Sequence, residues 1–325
     1  MSETHESGSD KPWLRWGKRL LTLFFFIAIP VLLYLQLRNT DWQEVGSALR
    51  DYPLWMIAAA FGVALLSYLT YASYDLLGRY YTGHRLPIRQ VIPLVFVCYA
   101  FNLNLNALVG GVALRFRLYT RLGLDVPTIA RVFSLSIITN WLGYLWLAGV
   151  VFAAGWVTLP EGWAVGNGGL RLIGLAMIAA AVVYVLACAF STRRSWTIRN
   201  QVIELPSWQL ALVQAGVGAL NWSLMALLIW LLLPAEAFYP GVLGVLLISS
   251  IAGVITHIPA GLGVLEMIFL TLLQDQIPRS SLLAALIGYR AIYFLLPLSI
   301  AVVTYLVLEK RAKSMRSTNS QQEAA

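Results

Sequence analysis

Charge is scarce in this sequence: 12% of its 325 residues are Asp, Glu, Lys or Arg, while 59% are hydrophobic. A soluble domain carries about twice that charged share, because its surface must be hydrated. A water-soluble globule is therefore excluded, and most of the outer surface must meet lipid. Cysteine is nearly absent as well. Cys98 and Cys188 both lie in apolar segments, are too few for a disulfide framework or a zinc site, and read as buried structural thiols. Missing too are a dinucleotide, Walker or nucleophile-elbow context around the glycines, and any metal-ligand cluster or carboxylate pair of recognisable spacing. These absences leave no cofactor, no metal and no catalytic residue to expect.

What is present is apolar length. Runs of roughly 20 apolar residues, enough to cross hydrocarbon as helix, recur from end to end. They predict an all-α, polytopic membrane helix bundle with six full spans, at about Leu20–Leu37, Pro53–Gly78, Pro127–Ala154, Leu170–Phe190, Ser207–Leu233 and Ser280–Leu308. The first run exceeds a signal-peptide core and lacks a small-residue cleavage site, so it reads as an anchor. One transmembrane domain, 18–313, lies between polar tails at 1–17 and 314–325. Between the first two spans, Trp42, Val45, Ala48 and Leu49 follow helical spacing, which predicts a short interfacial helix on the outer face. Trp13, Trp16, Trp42, Trp55, Trp156 and Trp163 sit near span ends and fit an aromatic interface belt.

Two further apolar stretches, Val91–Leu122 and Gly241–Gln274, are interrupted. The first carries Asn102, Asn104, Asn106, Gly110 and Gly111; the second carries Ser249, Ser250, Thr256, His257, Pro259, Gly261 and Gly263. Irregular backbone at membrane depth survives only where protein or trapped water satisfies it. About eleven residues follow each break, ~16 Å of helix, roughly half the hydrocarbon thickness. Both stretches are therefore read as re-entrant helical hairpins. The distribution of basic residues agrees with this: with a cytoplasmic N-terminus, re-entrant hairpins place 18 of the 23 Lys and Arg inside and 4 outside. Full crossings would give 12 and 10, which carries no bias. Both termini are then cytoplasmic.

The broken stretches also align with one another. Leu108–Arg115 lies against Pro259–Glu266 without a gap, and Asn106 falls opposite His257. The spans around each stretch match as well, giving an inverted repeat of about 18–155 and 168–309. Inverted repeats with discontinuous helices are the architecture of many secondary transporters.

Three segments carry a family resemblance: VGGVALRFRLYTRLG at Val109–Gly123, SIITNWLGY at Ser136–Tyr144, and SSIAGVITHIPAGLGVLE at Ser249–Glu266. They resemble the lysylphosphatidylglycerol synthase transmembrane family, and more closely its stand-alone, YbhN-like inner-membrane branch. The resemblance covers roughly residues 15–313. It implies a flippase-like membrane domain concerned with phospholipid, in a bacterial inner membrane. Fused members carry a soluble synthase domain after this region; here the sequence stops soon after Lys313, so transferase activity is not expected.

Charged groups inside the membrane are the candidate site. Each costs ~3 kcal/mol near the bilayer centre on insertion scales, so such groups usually face the bundle interior and serve function. Arg115, Glu266 and Arg290 are read as the centre of a headgroup site, since guanidinium offers a planar fork matching phosphate oxygens. Glu266 would hold an arginine in the absence of lipid, or contact a positive head. Asn106, Asn140 and His257, with Asn102 and Asn104, would add neutral hydrogen bonds. The competing reading is a static ion pair tying the repeats together. Asp75 and Arg79, at i,i+4 spacing, read as a pair at surface depth. Gly110, Gly111, Pro259, Gly261 and Gly263 mark the hairpin breaks, permitting tight turns rather than binding phosphate.

The net charge of +8 follows from topology and from attraction to anionic lipid heads, not from nucleic acid. The expected partner is a phospholipid, anionic by this reasoning. Two rivals stand beside lipid translocation: a membrane enzyme modifying a lipid-linked group through Glu266, His257 and Asn140, and a lipid-binding scaffold without transport.

Overall fold

Inside hydrocarbon a backbone amide must find its partner within its own segment, so long apolar runs become helices. The structure, a computed structural model, describes residues 42–105, 111–160, 162–163, 165–192, 195–198, 201–256 and 258–307. The expected span Leu20–Leu37, both tails, Asn106, Gly110 and His257 lie outside these residues.

The described helices are α1 (Trp42–Arg50), α2 (Leu54–Thr82), α3 (Ile88–Asn104), α4 (Leu114–Arg121), α5 (Val126–Ala153), α6 (Gly166–Phe190), α7 (Trp208–Leu231), α8 (Tyr239–Thr256), α9 (Val264–Leu273) and α10 (Arg279–Val307). Six of them, α2, α5, α6, α7, α8 and α10, are long and apolar enough to cross a membrane. The protein is a multi-pass membrane helix bundle. Between α6 and α7, β1 (Ser195–Ile198) pairs antiparallel with β2 (Gln201–Glu204), a small hairpin that the apolar pattern did not announce.

Among the described residues six helices have the length to cross, but they are not the six expected. Leu20–Leu37 lies outside the described residues, and α8 takes the sixth place among those described. Ser249 and Ser250 do not break α8, because their hydroxyls donate to the carbonyls of Val245 (2.7 Å) and Leu246 (2.8 Å) one turn back. The helix therefore runs 18 residues, about 27 Å, close to the hydrocarbon thickness.

Local signals set several ends. Asp125 Oδ2 accepts from the Thr128 amide and Ser207 Oγ from Leu210, each at 3.3 Å, capping α5 and α7. At the end of α2, Gly83 adopts φ 70° and its amide bonds to the Arg79 carbonyl, the left-handed cap that glycine supplies without steric cost.

Helices α2, α5 and α7 pack against one another at the centre, and α6 lies along α5. The α5–α7 crossing is backbone against backbone at Gly143 and Gly218, where an added Cβ on either would overlap the facing main chain. Small residues permit such close approach, and dispersion then holds helices that no hydrophobic effect drives together. Beside it Gln214 Nε2 donates to Thr139 Oγ1 (2.9 Å), so this buried amide has a partner inside the bundle. Outward the helices present large apolar side chains, such as Leu65 on α2, Val183 on α6 and Leu306 on α10, each 60–63% exposed. That girdle suits lipid.

Candidate functional site

The second break is a tight turn between α8 and α9. Pro259–Gly261 forms one 3-10 turn, and Ala260 (φ 57°), Gly261 (φ 55°) and Gly263 (φ 82°) all lie in the left-handed region. Such a turn leaves carbonyls without helical partners. One side chain closes it: Arg290, from the middle of α10, donates through Nη1 to Ala260 O (2.6 Å) and through Nη2 to Gly261 O (3.1 Å). Its Nε and Nη2 also reach Glu266 Oε1 (2.8 Å) and Oε2 (3.2 Å). Glu266 stands in the first turn of α9 and accepts the Gly263 amide on Oε2 at 2.9 Å. These contacts occupy four of the five guanidinium N–H donors, and the plane lies 4.9 Å from the Phe294 ring.

Arg290 also begins a π turn, Arg290–Leu295, within α10. A widened turn disturbs the regular ladder and frees carbonyls, and it is frequent at functional sites. Here Tyr68 OH donates to Tyr293 O (3.0 Å), and Asn104 Nδ2 donates to Phe294 O (3.2 Å). Asn104 is the last residue of α3, so the end of one broken segment satisfies the bulge that positions the clamp on the other. Around the bulge runs a buried hydroxyl chain. Ser67 Oγ donates to Asn221 Oδ1 (2.8 Å) and meets Tyr293 OH (2.7 Å), which meets Tyr99 OH (2.9 Å).

Against this framework lies a cavity of about 590 Å³, within the size range of small-molecule sites. Asn102, Ser249, Ser250 and Arg290 give it polar groups, while Trp222, Leu246 and Phe294 are among its apolar walls. Its rim includes Leu105 and Val254, 42% and 56% exposed, so the cavity opens on an exposed apolar flank of the bundle. A chamber with a guanidinium at one wall and an apolar flank fits an amphiphile.

The three charges expected to form one centre are separated: Glu266 and Arg290 pair with each other, and Arg115 pairs with Asp75 instead. Glu266 and Arg290 meet at the cavity wall, with side chains 17% and 13% exposed. Arg115, on α4, does not line the cavity. Its Nη2 lies 3.0 Å from Asp75 Oδ1 on α2, with both side chains essentially out of solvent, and Tyr119 OH donates to Asp75 Oδ2 at 2.7 Å. This corrects the reading of Asp75 as a surface-depth partner of Arg79: Asp75 is fully buried, and Arg79 Nε instead donates to Leu86 O (2.9 Å). Helical spacing makes Arg79 reachable but does not say which face of α2 is inward.

Asn140 sits behind the cavity wall, its backbone carbonyl accepting from Trp222 Nε1 at 3.4 Å. Gly111 packs against Asn102, which lines the cavity. Asn106, Gly110 and His257 are outside the described residues. Sequence reasoning missed the polar stripe of α2 that faces the bundle. Ser67, Tyr68, Tyr71, Tyr74 and Asp75 recur at helical spacing, and that period was the available signal. Among the described residues no group of three metal-ligating side chains occurs.

Residues 20–301 match the model of the lysylphosphatidylglycerol synthase TM region. The chain belongs to that family. It is similar to the inner membrane protein YbhN of Escherichia coli, 48% identical across 98% of this chain and 99% of the relative. A Synechocystis protein, slr0712, is 29% identical over 89% and 91%. A phosphatidylglycerol lysyltransferase of Staphylococcus haemolyticus is 22% identical across 88% of this chain but 33% of its own length, so the shared part is one region of a larger protein.

Proposed function

We propose that this protein binds phospholipid in the flank cavity and carries it between the leaflets of a bacterial inner membrane. The observation that carries the proposal is Arg290. It puts a guanidinium at the wall of a largely apolar chamber whose rim faces lipid. A phosphodiester head must leave water to cross, and the guanidinium fork can meet its oxygens. Glu266 keeps that arginine neutralised while no lipid is present. The inner-membrane location and an anionic lipid such as phosphatidylglycerol are supported by the relatives' names, one an inner membrane protein and one a lysyltransferase of that lipid.

In the same reading the two broken stretches are re-entrant hairpins in an inverted repeat, with both termini cytoplasmic. Arg115 and Glu266 support the repeat. They align in the two copies, each stands in the first turn of a short helix after a break, and each is neutralised by an opposite charge on a long helix. Asn106, Asn140, His257 and Arg115 would line the route beyond the cavity.

Purified protein in liposomes tests the proposal. Leaflet exchange of a labelled phosphatidylglycerol, lost in Arg290→Met, is the expected result. Protein-free rates of exchange overturn translocation, and a changed lipid mass would identify an enzyme instead.

A further inference from the structure

The buried Asp75–Arg115 pair lies outside the lining of the cavity. An ion pair taken out of water is a poor source of stability, since well-packed apolar groups often serve as well, whereas loss of one member leaves the other uncompensated. Among the described residues this pair is also incompletely satisfied: Arg115 Nε has no hydrogen-bond acceptor, and Asp75 Oδ1, though close to Arg115 Nη2, makes no aligned hydrogen bond. The groups facing Asp75 are Arg115 and Tyr119 from α4, Ser136 from α5 and His84 from the loop after α2. Tyr71, on its own helix, and Cys98, from α3, act on the same pair. Asp75 is the only carboxylate among them.

The pair is joined to the cavity. Tyr71 interacts with Arg115 and stacks on Tyr99 with ring centroids 3.6 Å apart. Tyr99 OH meets Tyr293 OH at 2.9 Å. Tyr293 stacks on Tyr289, which lines the cavity next to Arg290. On the other side, Asn102 of the cavity wall packs against Gly111, four residues before Arg115.

We propose that Asp75 is a proton-binding site and that lipid movement is coupled to it: a proton replaces Arg115 as the partner of Asp75, and a lipid phosphodiester replaces Asp75 as the partner of Arg115. One O–H bond forms at the Asp75 carboxyl group with a proton drawn from water, and no covalent bond of the lipid changes. Proton and phosphodiester bring opposite charges, so the buried site stays neutral throughout the exchange. Without the proton, an incoming anion would leave the Asp75 carboxylate uncompensated in a dry interior. Arg290 then receives the head in the cavity and Arg115 is the second station. The inference rests on the phospholipid reading above and names its coupling ion.

The test uses the full chain in weakly buffered detergent at neutral pH, titrated with short-chain phosphatidylglycerol. A pH indicator follows proton uptake while native mass spectrometry counts bound lipid in the same samples. Uptake of about one proton per lipid that reaches Arg115 is expected, the linkage of proton and ligand binding at one site. It should vanish in Asp75→Asn and persist in Asp275→Asn, a change to an exposed carboxylate. Lipid binding without proton uptake overturns this inference and leaves the phospholipid reading standing; no lipid binding overturns both. Equal uptake by Asp75→Asn and wild type assigns the proton elsewhere and also overturns it. Should Asp75→Asn fail to fold, infrared difference spectra of the wild type decide: a protonated-carboxyl band appearing with lipid supports the site, and its absence overturns it.

Discussion

Arg290 and Glu266, 24 positions apart, meet at 2.8 Å, and the same guanidinium holds the carbonyl of Ala260 at 2.6 Å. One side chain therefore neutralises a carboxylate and fixes the turn on which that carboxylate's helix begins. Under the proposed function Glu266 and an anionic lipid head compete for one cation, so the two partners should respond oppositely to substitution. Glu266→Gln removes the internal competitor and should tighten phosphatidylglycerol binding about tenfold; Arg290→Met should abolish it. Titration by native mass spectrometry reads both, and equal affinities across the three proteins would remove Arg290 from the site.

Ala260 holds a left-handed backbone that costs an ordinary residue roughly 1–2 kcal/mol and glycine almost nothing. Ala260→Gly should raise stability in detergent by about 1 kcal/mol, less what glycine adds to unfolded-chain entropy. Thermal unfolding of the purified variant checks it, and a lower midpoint than wild type would contradict the strained turn.

Asp75 and Arg115 are buried together, so each single loss strands a charge. Asp75→Ala and Arg115→Met should each destabilise by about 3–5 kcal/mol, while the double substitution should recover much of that. A double-mutant cycle on unfolding in detergent measures the coupling. Additive single effects would mean that the pair does not interact.

The α5–α7 crossing leaves no room at Gly218, whereas Gly216, half a turn away, has open space around its Cβ position. Gly218→Ala should therefore cost about 1–3 kcal/mol or more through overpacking, and Gly216→Ala should be close to neutral or slightly stabilising. Expression yield and melting temperature of the two variants separate these outcomes.

His84, in the loop after α2, is held below the ordinary histidine value by burial and then by neighbouring Arg79. The folded state thus binds its proton less readily than the unfolded chain does. The stability that His84 contributes as a neutral ring is present above the unfolded value near 6.5 and declines as pH falls through it toward the folded value. Its Nδ1 accepts the Leu86 amide at 3.4 Å, a bond that needs the neutral ring. Melting temperature should drop between pH 7.5 and pH 5.5, and by less in His84→Gln.

Much of the architecture was legible from apolar length alone. Five expected spans coincide with α2, α5, α6, α7 and α10 to within a few residues at most ends. The ends of α3 and α8 beside the interrupted stretches were legible too, because clustered Asn, Gly and Pro in an apolar run weaken a helix. α3 does end at Asn104, and α8 ends at Thr256 before the Pro259–Gly261 turn. The length of α8 was not: its two serines looked like an interruption, but their hydroxyls find carbonyls within the same helix.

The sequence by itself determined that the chain lives in lipid, where most of its helices lie, which apolar stretches are interrupted and that Arg115, Glu266 and Arg290 must be sheltered; that Asp75 is buried with them came from the structure. Hydrophobic runs and the cost of burying charge are local properties, readable residue by residue. Tertiary structure alone decided who shelters whom: Arg115 with Asp75, Arg290 with Glu266 and the Ala260 turn, and Asn104 with the π bulge. Partners in an ion pair are chosen by helix rotation and crossing, which depend on close contacts such as Gly143 against Gly218. Sequence spacing reaches only one turn along a helix, and the pairs that matter here are made across the bundle.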